Sequence, residues 1–496
     1  SMPFVKKAFA AVLSMLLLIS LFSSCGSEAQ DELPEEEDVT IIRWYGIGGA
    51  LPEDFQEGVN AINEYLREKI DVELQWHIVG WNDYQTKFQT MVNSGDAFDI
   101  MFASNSYYTR FVNQGAFMDI TELVDQVTPD LYSFVPDILW EGARVDGKIY
   151  GVPTYKDSSL TQFWYFDHEL VEKYDIDVDL VHTMDDLDPI FRKVKAGEGE
   201  DFYPVYLTRG NPWNGILNQY DNLCTGLEAI GVRLDDESRT VVSVLEQEDF
   251  LHKLELLHSW YEDGIINPDA NTSQETYRGQ FFGSGQGWPA AAIGWATGNG
   301  VEQYDITAPI DGPFYTSSTV QGSMNCISAS SSHPEEALRF LELANTDTTL
   351  RDMLAYGREG THFEYVEVSD ESTGETETRV HLLRDDWVNG SAKYSQASFF
   401  SLTLMDNEPS TQWEEILEQN EKAMEGVCMG FSMDLTSVEM ETAACVQIWE
   451  KYKPDMQTGA ADPAVLVPQC LAELEAAGLQ TIIQEAQKQI DEFFQN

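Results

Sequence analysis

Near its start the chain changes hydrophobic period repeatedly, and no other feature limits its fold so tightly. Residues 39–45 (VTIIRWY) alternate as a strand does. Residues 53–69 then place Phe55, Val59, Ile62 and Leu66 at steps of four and three, the face of a helix. Alternation returns at 71–79 (DVELQWHIV), a helix is expected over 82–94, a buried strand at 98–103 (FDIMFA), and another helix from 107 to 114. Strands separated by helix-length connections pair in parallel and need both faces covered. The expectation is an α/β fold with a largely parallel sheet.

The pattern restarts beyond a short strand at 148–154 (KIYGVPT), where Pro153 ends the pairing. Helices are expected at 168–173, 184–195, 250–263 and 334–344, and strands at 290–295 and 323–329 (SMNCISA). Thr183 and Asp186 stand at the spacing of a capping box. The run 283–287 (GSGQG) reads as a loop, and 370–377 (DESTGETE) as a polar hairpin tip. From about residue 411 the chain reads as mostly helical, with a core stripe through Leu471, Leu474, Ile482, Ile483, Ala486, Ile490 and Phe494, broken at Gly478. Trp76 and Trp260 are assigned to packing. A stretch as long as 39–496 exceeds one core of ordinary size, so two lobes are expected.

The leader carries an address. Lys6 and Lys7 precede an apolar run over 8–22, then Ser23, Ser24 and Cys25. A basic start, a short apolar core and small residues at the cleavage site are the parts of a secretory signal peptide. With cysteine directly after them the segment looks like a lipobox, with Phe22 where leucine is usual. Residues 1–24 are expected to be removed, Cys25 to be lipidated, and the acidic stretch 25–38 to act as a tether. Localisation is then extracytoplasmic, at the outer face of the cell membrane.

Counts of 29 basic and 85 acidic residues give a formal charge of −56. Such a field repels phosphate backbones and excludes nucleic acid as a partner. With Cys25 lipidated, five cysteines remain, none spaced as a zinc or redox motif. Catalytic signatures are missing too: there is no phosphate loop, no H-E-x-x-H and no G-x-S-x-G. Asp175, Asp177, Asp179 and Asp186 fit positions of a calcium loop, but Leu180 replaces the glycine it needs. No metal, cofactor or enzyme activity is expected. Paired carboxylates for glycoside hydrolysis stay open, because acidic residues are everywhere.

Aromatic residues point further. Trp44-Tyr45, Trp81, Tyr107-Tyr108, Trp213 and Trp295 stand beside turn residues at expected strand ends. Ligands of open α/β sheets bind beyond the carboxyl ends of the strands. An aromatic face there suits the C–H face of a sugar ring, with polar side chains pairing its hydroxyls.

Several segments resemble a known family. They are WNDYQTKFQTMVNSGDAFDIMFAS (81–104), GAFMDITELVDQ (115–126), VDGKIYGVPTY (145–155), ISASSSHPEEALRFLELANTD (327–347), YGREGTHFEYV (356–366), GFSMDLTSVEMETAACVQIWEKYKPDMQTGAADP (430–463) and AAGLQTIIQEAQKQIDEFF (476–494). Together they resemble the extracellular solute-binding proteins of ABC importers, family 1, in the LipO-type lipoprotein subgroup. The resemblance implies a two-lobed periplasmic-binding-protein-like (type II) fold with interlobe crossovers and a helical C-terminal part. Lobe one is expected at 39–157 plus 311–372, and lobe two at 158–310 plus 373–496.

It further implies that Trp44, Tyr45, Asn105, Tyr107, Tyr108, Tyr155 and Asp157 face the cleft. Lobe two adds Trp213 and Trp295, and Gln321 and Ser323 lie where the chain re-enters lobe one. Phe400-Ser401 replaces the Gly-Asn of relatives. The implied function is capture of a carbohydrate, an oligosaccharide, by a monomer that delivers it to permease subunits. A non-sugar polar ligand such as a peptide, and a lipoprotein glycosidase, are the alternatives.

Overall fold

The computed structural model describes residues 38–370 and 373–495; the leader, Cys25 and most of the expected tether lie outside them. Five strands form the first sheet, in the order Val72–Gly80, Thr40–Gly48, Ile100–Ala103, Met324–Ile327, Gly151–Pro153. Thr40–Gly48 pairs in parallel with both neighbours, and Met324–Ile327 runs antiparallel between its own. Gly151 permits that last pairing, since a Cβ there would lie 2.8 Å from Cys326 Sγ and 2.9 Å from the Asn325 carbonyl.

Helix Phe55–Ile70 buries Val59, Ile62 and Leu66, keeps Arg67 and Lys69 in its last turn, and ends on Asp71 in the left-handed region at φ 56°. Helix Pro334–Thr346 starts on proline with Glu335 and Glu336 in its first turn, and it buries Leu338, Phe340 and Leu341. These apolar faces join the sheet in one core that includes Ile42, Trp44 and Ile100.

The second sheet is mostly antiparallel. Leu160–Asp167 lies at its centre, paired with Phe282–Gln286, Tyr304–Ile306 and Asp311–Tyr315, and Met424–Glu425 adds in parallel to the last. A separate core forms here from Trp164, Phe166, Phe191, Trp260, Phe282 and the C-terminal helices Glu439–Gln457, Pro463–Ala476 and Leu479–Phe494. The expected stripe is in place, with Leu474, Ile482, Ala486 and Ile490 buried. The chain crosses between the cores three times: from Val152 to Trp164, from Ile310 to Tyr315, and from Ala397 to Cys428.

Three expectations are corrected. Residues 290–295 are not a strand: helix Ala291–Asn299 forms there, as an alanine-rich run favours. The glycine run read as a loop instead supplies strand Phe282–Gln286. Its glycines make room for rings, because a Cβ on Gly283 would strike the Tyr165 ring and one on Gly285 the Trp295 ring. The lobe boundaries also move. Asp311–Tyr315, expected in lobe one, is a strand of the second sheet, while Trp387 and Ala397, expected in lobe two, belong to the first core. The hairpin Phe363–Ser369 with Thr376–Leu382 packs its Phe363 and Val380 on Tyr356 and Leu402, a small cluster of its own.

Candidate functional site

The carboxyl ends of the first sheet's parallel strands include Gly80-Trp81, Ser104-Asn105 and Thr154, and Ser323, at the start of the antiparallel strand, lies beside the last two. Buried polar groups knit these ends together. Thr154 and Ser323 share a hydrogen bond between hydroxyls at 2.7 Å, and Asn105 N–H donates to the Gln321 carbonyl at 2.8 Å. Asn105 holds φ 54° and ψ −134°, a conformation that a non-glycine residue keeps only when its surroundings enforce it.

Two rings stand out to solvent at this edge. Trp81 is 43% exposed and Tyr394 39%, and they stack at 5.6 Å with planes 12° apart. Tyr84 meets Trp81 edge to face at 5.8 Å and shares a hydrogen bond with Ser104 Oγ at 2.8 Å. The Tyr394 carbonyl accepts from Ser323 Oγ. Burial pushes the Tyr394 phenol up to about 12, with a hydrogen bond to Trp81 opposing the shift, so the ring is neutral at physiological pH.

The second lobe presents a cavity of about 390 Å³ beside the start of Leu160–Asp167 and the end of Asp311–Tyr315. Its wall is rich in amides and hydroxyls, among them Asn214, Asn218, Asn222, Gln457, Ser318 and Thr319. Ser318 and Thr319 lie just past the second crossing, on the short helix Ser317–Val320, and the Gln321 carbonyl that follows them accepts from Asn105 N–H. Glu228 and Lys453 pair at 3.0 Å, which cancels their charges within the wall. Asp221, also in the wall, is pushed up to about 6 by burial, against the lowering effect of the Leu223 N–H bond.

The crossings are tied to each other. Asn420 Oδ1 accepts from the N–H and hydroxyl of Ser159, and its Nδ2 donates to the Lys156 carbonyl at 2.8 Å. Phe399 N–H donates to the Tyr155 carbonyl, and Gly426 N–H to that of Tyr315. Asp157 forms an ion pair with Lys156 at 3.2 Å, and its carbonyl accepts from Gln286.

The predicted site residues therefore divide. Trp81 and Asn105 are exposed at the cleft edge, and Tyr155 and Asp157 are half-buried on the first crossing. Tyr155 packs against Phe400 at 4.5 Å, the residue that replaces the relatives' glycine. Ser323 is buried but stands directly behind Tyr394. Trp213 is 4% exposed and stacks on Phe282, so it is a wall of the cavity, with no open ring face.

Trp44, Tyr108 and Gln321 are buried, and Trp295 is half-buried. Trp44 is buried, stacked on Trp76 at 4.7 Å, with its Nε1 donating to Asn325. Tyr108 is buried, its hydroxyl donating to the Ala143 carbonyl at 2.7 Å. Gln321 spends its amide on the Gly142 carbonyl, Ser432 and Thr109. Trp295 gives one face to Tyr165 at 4.6 Å. Tyr45 stacks on His77 and Tyr107 lies under Arg110, both half-buried and outside the cluster just described. Tyr394, Asp221 and Gln457 escaped the sequence reading: Tyr394 sits on a 3-10 turn, Asp221 ends a strand of two residues, too short to show a period, and Gln457 ends a helix.

Comparison with known proteins agrees with this architecture. The family model described as bacterial extracellular solute-binding protein matches residues 60–372, and one described as a domain of unknown function (DUF3502) matches 427–495. A carbohydrate ABC transporter substrate-binding protein of Streptococcus pneumoniae is 28% identical over 505 residues, covering 99% of each chain. The crystal structure of the N-glycan transport solute binding protein of Streptococcus pneumoniae has a TM-score of 0.78 at 27% identity, covering 92% of this chain and 99% of that one. In complex with Man5GlcNAc the same protein scores 0.72 with the same coverage. An extracellular solute-binding protein from Bifidobacterium longum subsp. infantis, 16% identical with a TM-score of 0.60, covering 91% of this chain and 98% of that one, shares the fold. With two α/β lobes, three crossings and a matched segment of more than half its length, this chain belongs to the bacterial extracellular solute-binding proteins.

Proposed function

We propose that this chain is the ligand-capturing lipoprotein of an ABC importer and that its ligand is an oligosaccharide. The observations that carry the reading are the exposed Trp81–Tyr394 pair of the first lobe and the amide-lined cavity of the second. Flat rings offer the C–H face of a sugar a surface worth about 0.5–1.5 kcal/mol per contact beyond area burial. The amides supply both donors and acceptors to hydroxyls. The pneumococcal relative's glycan complexes make mannose- and N-acetylglucosamine-containing glycans the first class to test.

Ligand bridging both walls favours a closed arrangement, and affinity includes that equilibrium. No bond is broken, and the monomer hands its cargo to separate permease chains, held at the membrane by lipid on Cys25.

A thermal-shift panel of Man5GlcNAc, Man1GlcNAc, other oligosaccharides and peptides tests this. Ligand that binds the native state raises its melting temperature. Stabilisation by glycans with no product formed is expected. Stabilisation by peptides alone, or release of smaller sugars, would overturn the reading.

A further inference from the structure

Two side chains in the wall of the 390 Å³ cavity carry polar atoms with no hydrogen-bond partner among the described residues: Asp221 Oδ2 and Gln457 Nε2. Asp221 is 4% exposed and Gln457 2%. Native proteins pair nearly all such buried groups, so an unpaired acceptor and an unpaired donor in one wall call for a common partner. Their polar neighbours are partnered elsewhere. Asn222 Oδ1 accepts from Ser318 and the Cys224 N–H, Asn214 donates to the Ser284 carbonyl, and Lys453 is held by Glu228.

The backbone around Asp221 is built, not incidental. Leu223 and Cys224 both hold the left-handed region, at φ 62° and 61°, fixed by N–H bonds to Asp221 Oδ1 and Asn222 Oδ1. Two consecutive non-glycine residues at positive φ are a strain that functional loops retain.

We infer that this cavity is a subsite for a single sugar ring of the bound chain, with ring hydroxyls donating to Asp221 Oδ2 and accepting from Gln457 Nε2. The inference rests on the oligosaccharide reading and adds the residues that hold one end of the chain. A volume of about 390 Å³ lies low in the range of small-molecule pockets, enough for a ring and too little for a whole branched glycan. A hydroxyl both donates and accepts, so neighbouring hydroxyls of one ring satisfy both atoms. A lone carboxylate beside an amide is too few oxygens for a calcium ion.

The test titrates Man5GlcNAc into the mature wild-type chain and into Asp221→Asn, Gln457→Met and Trp81→Ala, with melting curves of each unliganded protein. About tenfold weaker binding is expected in Asp221→Asn and in Gln457→Met, with melting temperatures at neutral pH no lower than wild type. A role in folding alone would lower the melting temperature and leave affinity unchanged. Unchanged affinity in both, with binding lost in Trp81→Ala, would overturn the subsite and leave the oligosaccharide reading standing. Absence of Man5GlcNAc binding to wild type, with binding of a peptide, would overturn both.

Discussion

Trp44 and Trp81 differ by one environment, and that difference sets their work. Trp44 lies inside the first core, so Trp44→Ala leaves a cavity and should cost about 3–5 kcal/mol in urea unfolding. Trp81 keeps much of its ring in solvent. Trp81→Ala should leave stability within about 1 kcal/mol and weaken glycan binding by about 1–3 kcal/mol, read by thermal melts and calorimetry. Asp221 adds a pH signature. Burial raises its pKa from 3.8 to about 6, so the folded state holds a proton that the unfolded state has lost between these values. The stability it contributes is full below pH 3.8 and is lost as pH rises through 6. Asp221→Asn should therefore gain about 1–3 kcal/mol over wild type at pH 8 and little at pH 4, measured by denaturant titration. The sequence placed Trp81 correctly at a strand end. It could not separate Trp81 from Trp44, because both stand within two residues of a glycine and only the fold decides which ring is roofed by Phe340.

Between residue and fold stands the segment 393–398, which carries Tyr394 and whose regular structure is a single 3-10 turn, Lys393–Ser395. Arg351, fully buried on helix Thr348–Tyr356, holds it by donating to the carbonyls of Lys393, Ala397 and Ser398 and to Gln396 Oε1. Asn325 adds bonds to the carbonyls of Ser395 and Gln396. Burial lowers the guanidinium to about 10, still charged at neutral pH. Arg351→Met should cost about 3–5 kcal/mol in urea unfolding, since four acceptors lose their donor. Such long-range cradles leave no periodic trace, which is why Tyr394 was not legible. Periodic elements were: the helices and strands expected over residues 39–114 appear within a few positions of expectation. The exceptions are instructive. Phe282–Gln286 is a strand with two glycines, made by the Tyr165 and Trp295 rings that fill the space above them.

For the molecule as a whole, two cores are joined by three crossings that are hydrogen-bonded to one another. Chain length forecast the two lobes, but not their borders, because the third crossing follows a stretch that packs on the first core. No helix among the described residues is long and apolar enough to cross a membrane. If Cys25 carries the anchor, Cys25→Ala should move the chain from the membrane fraction to the medium, as seen by immunoblotting, since two buried acyl chains hold what a single one does not. The central claim is that the exposed ring pair and the second lobe's cavity hold an oligosaccharide without cleaving it. Calorimetric titration of Man5GlcNAc into wild type, Trp81→Ala and Tyr394→Ala tests it most directly. Saturable binding to wild type, at least tenfold weaker in either variant, with the glycan recovered intact, is the predicted result; equal affinity in all three proteins, or new reducing ends, would contradict it.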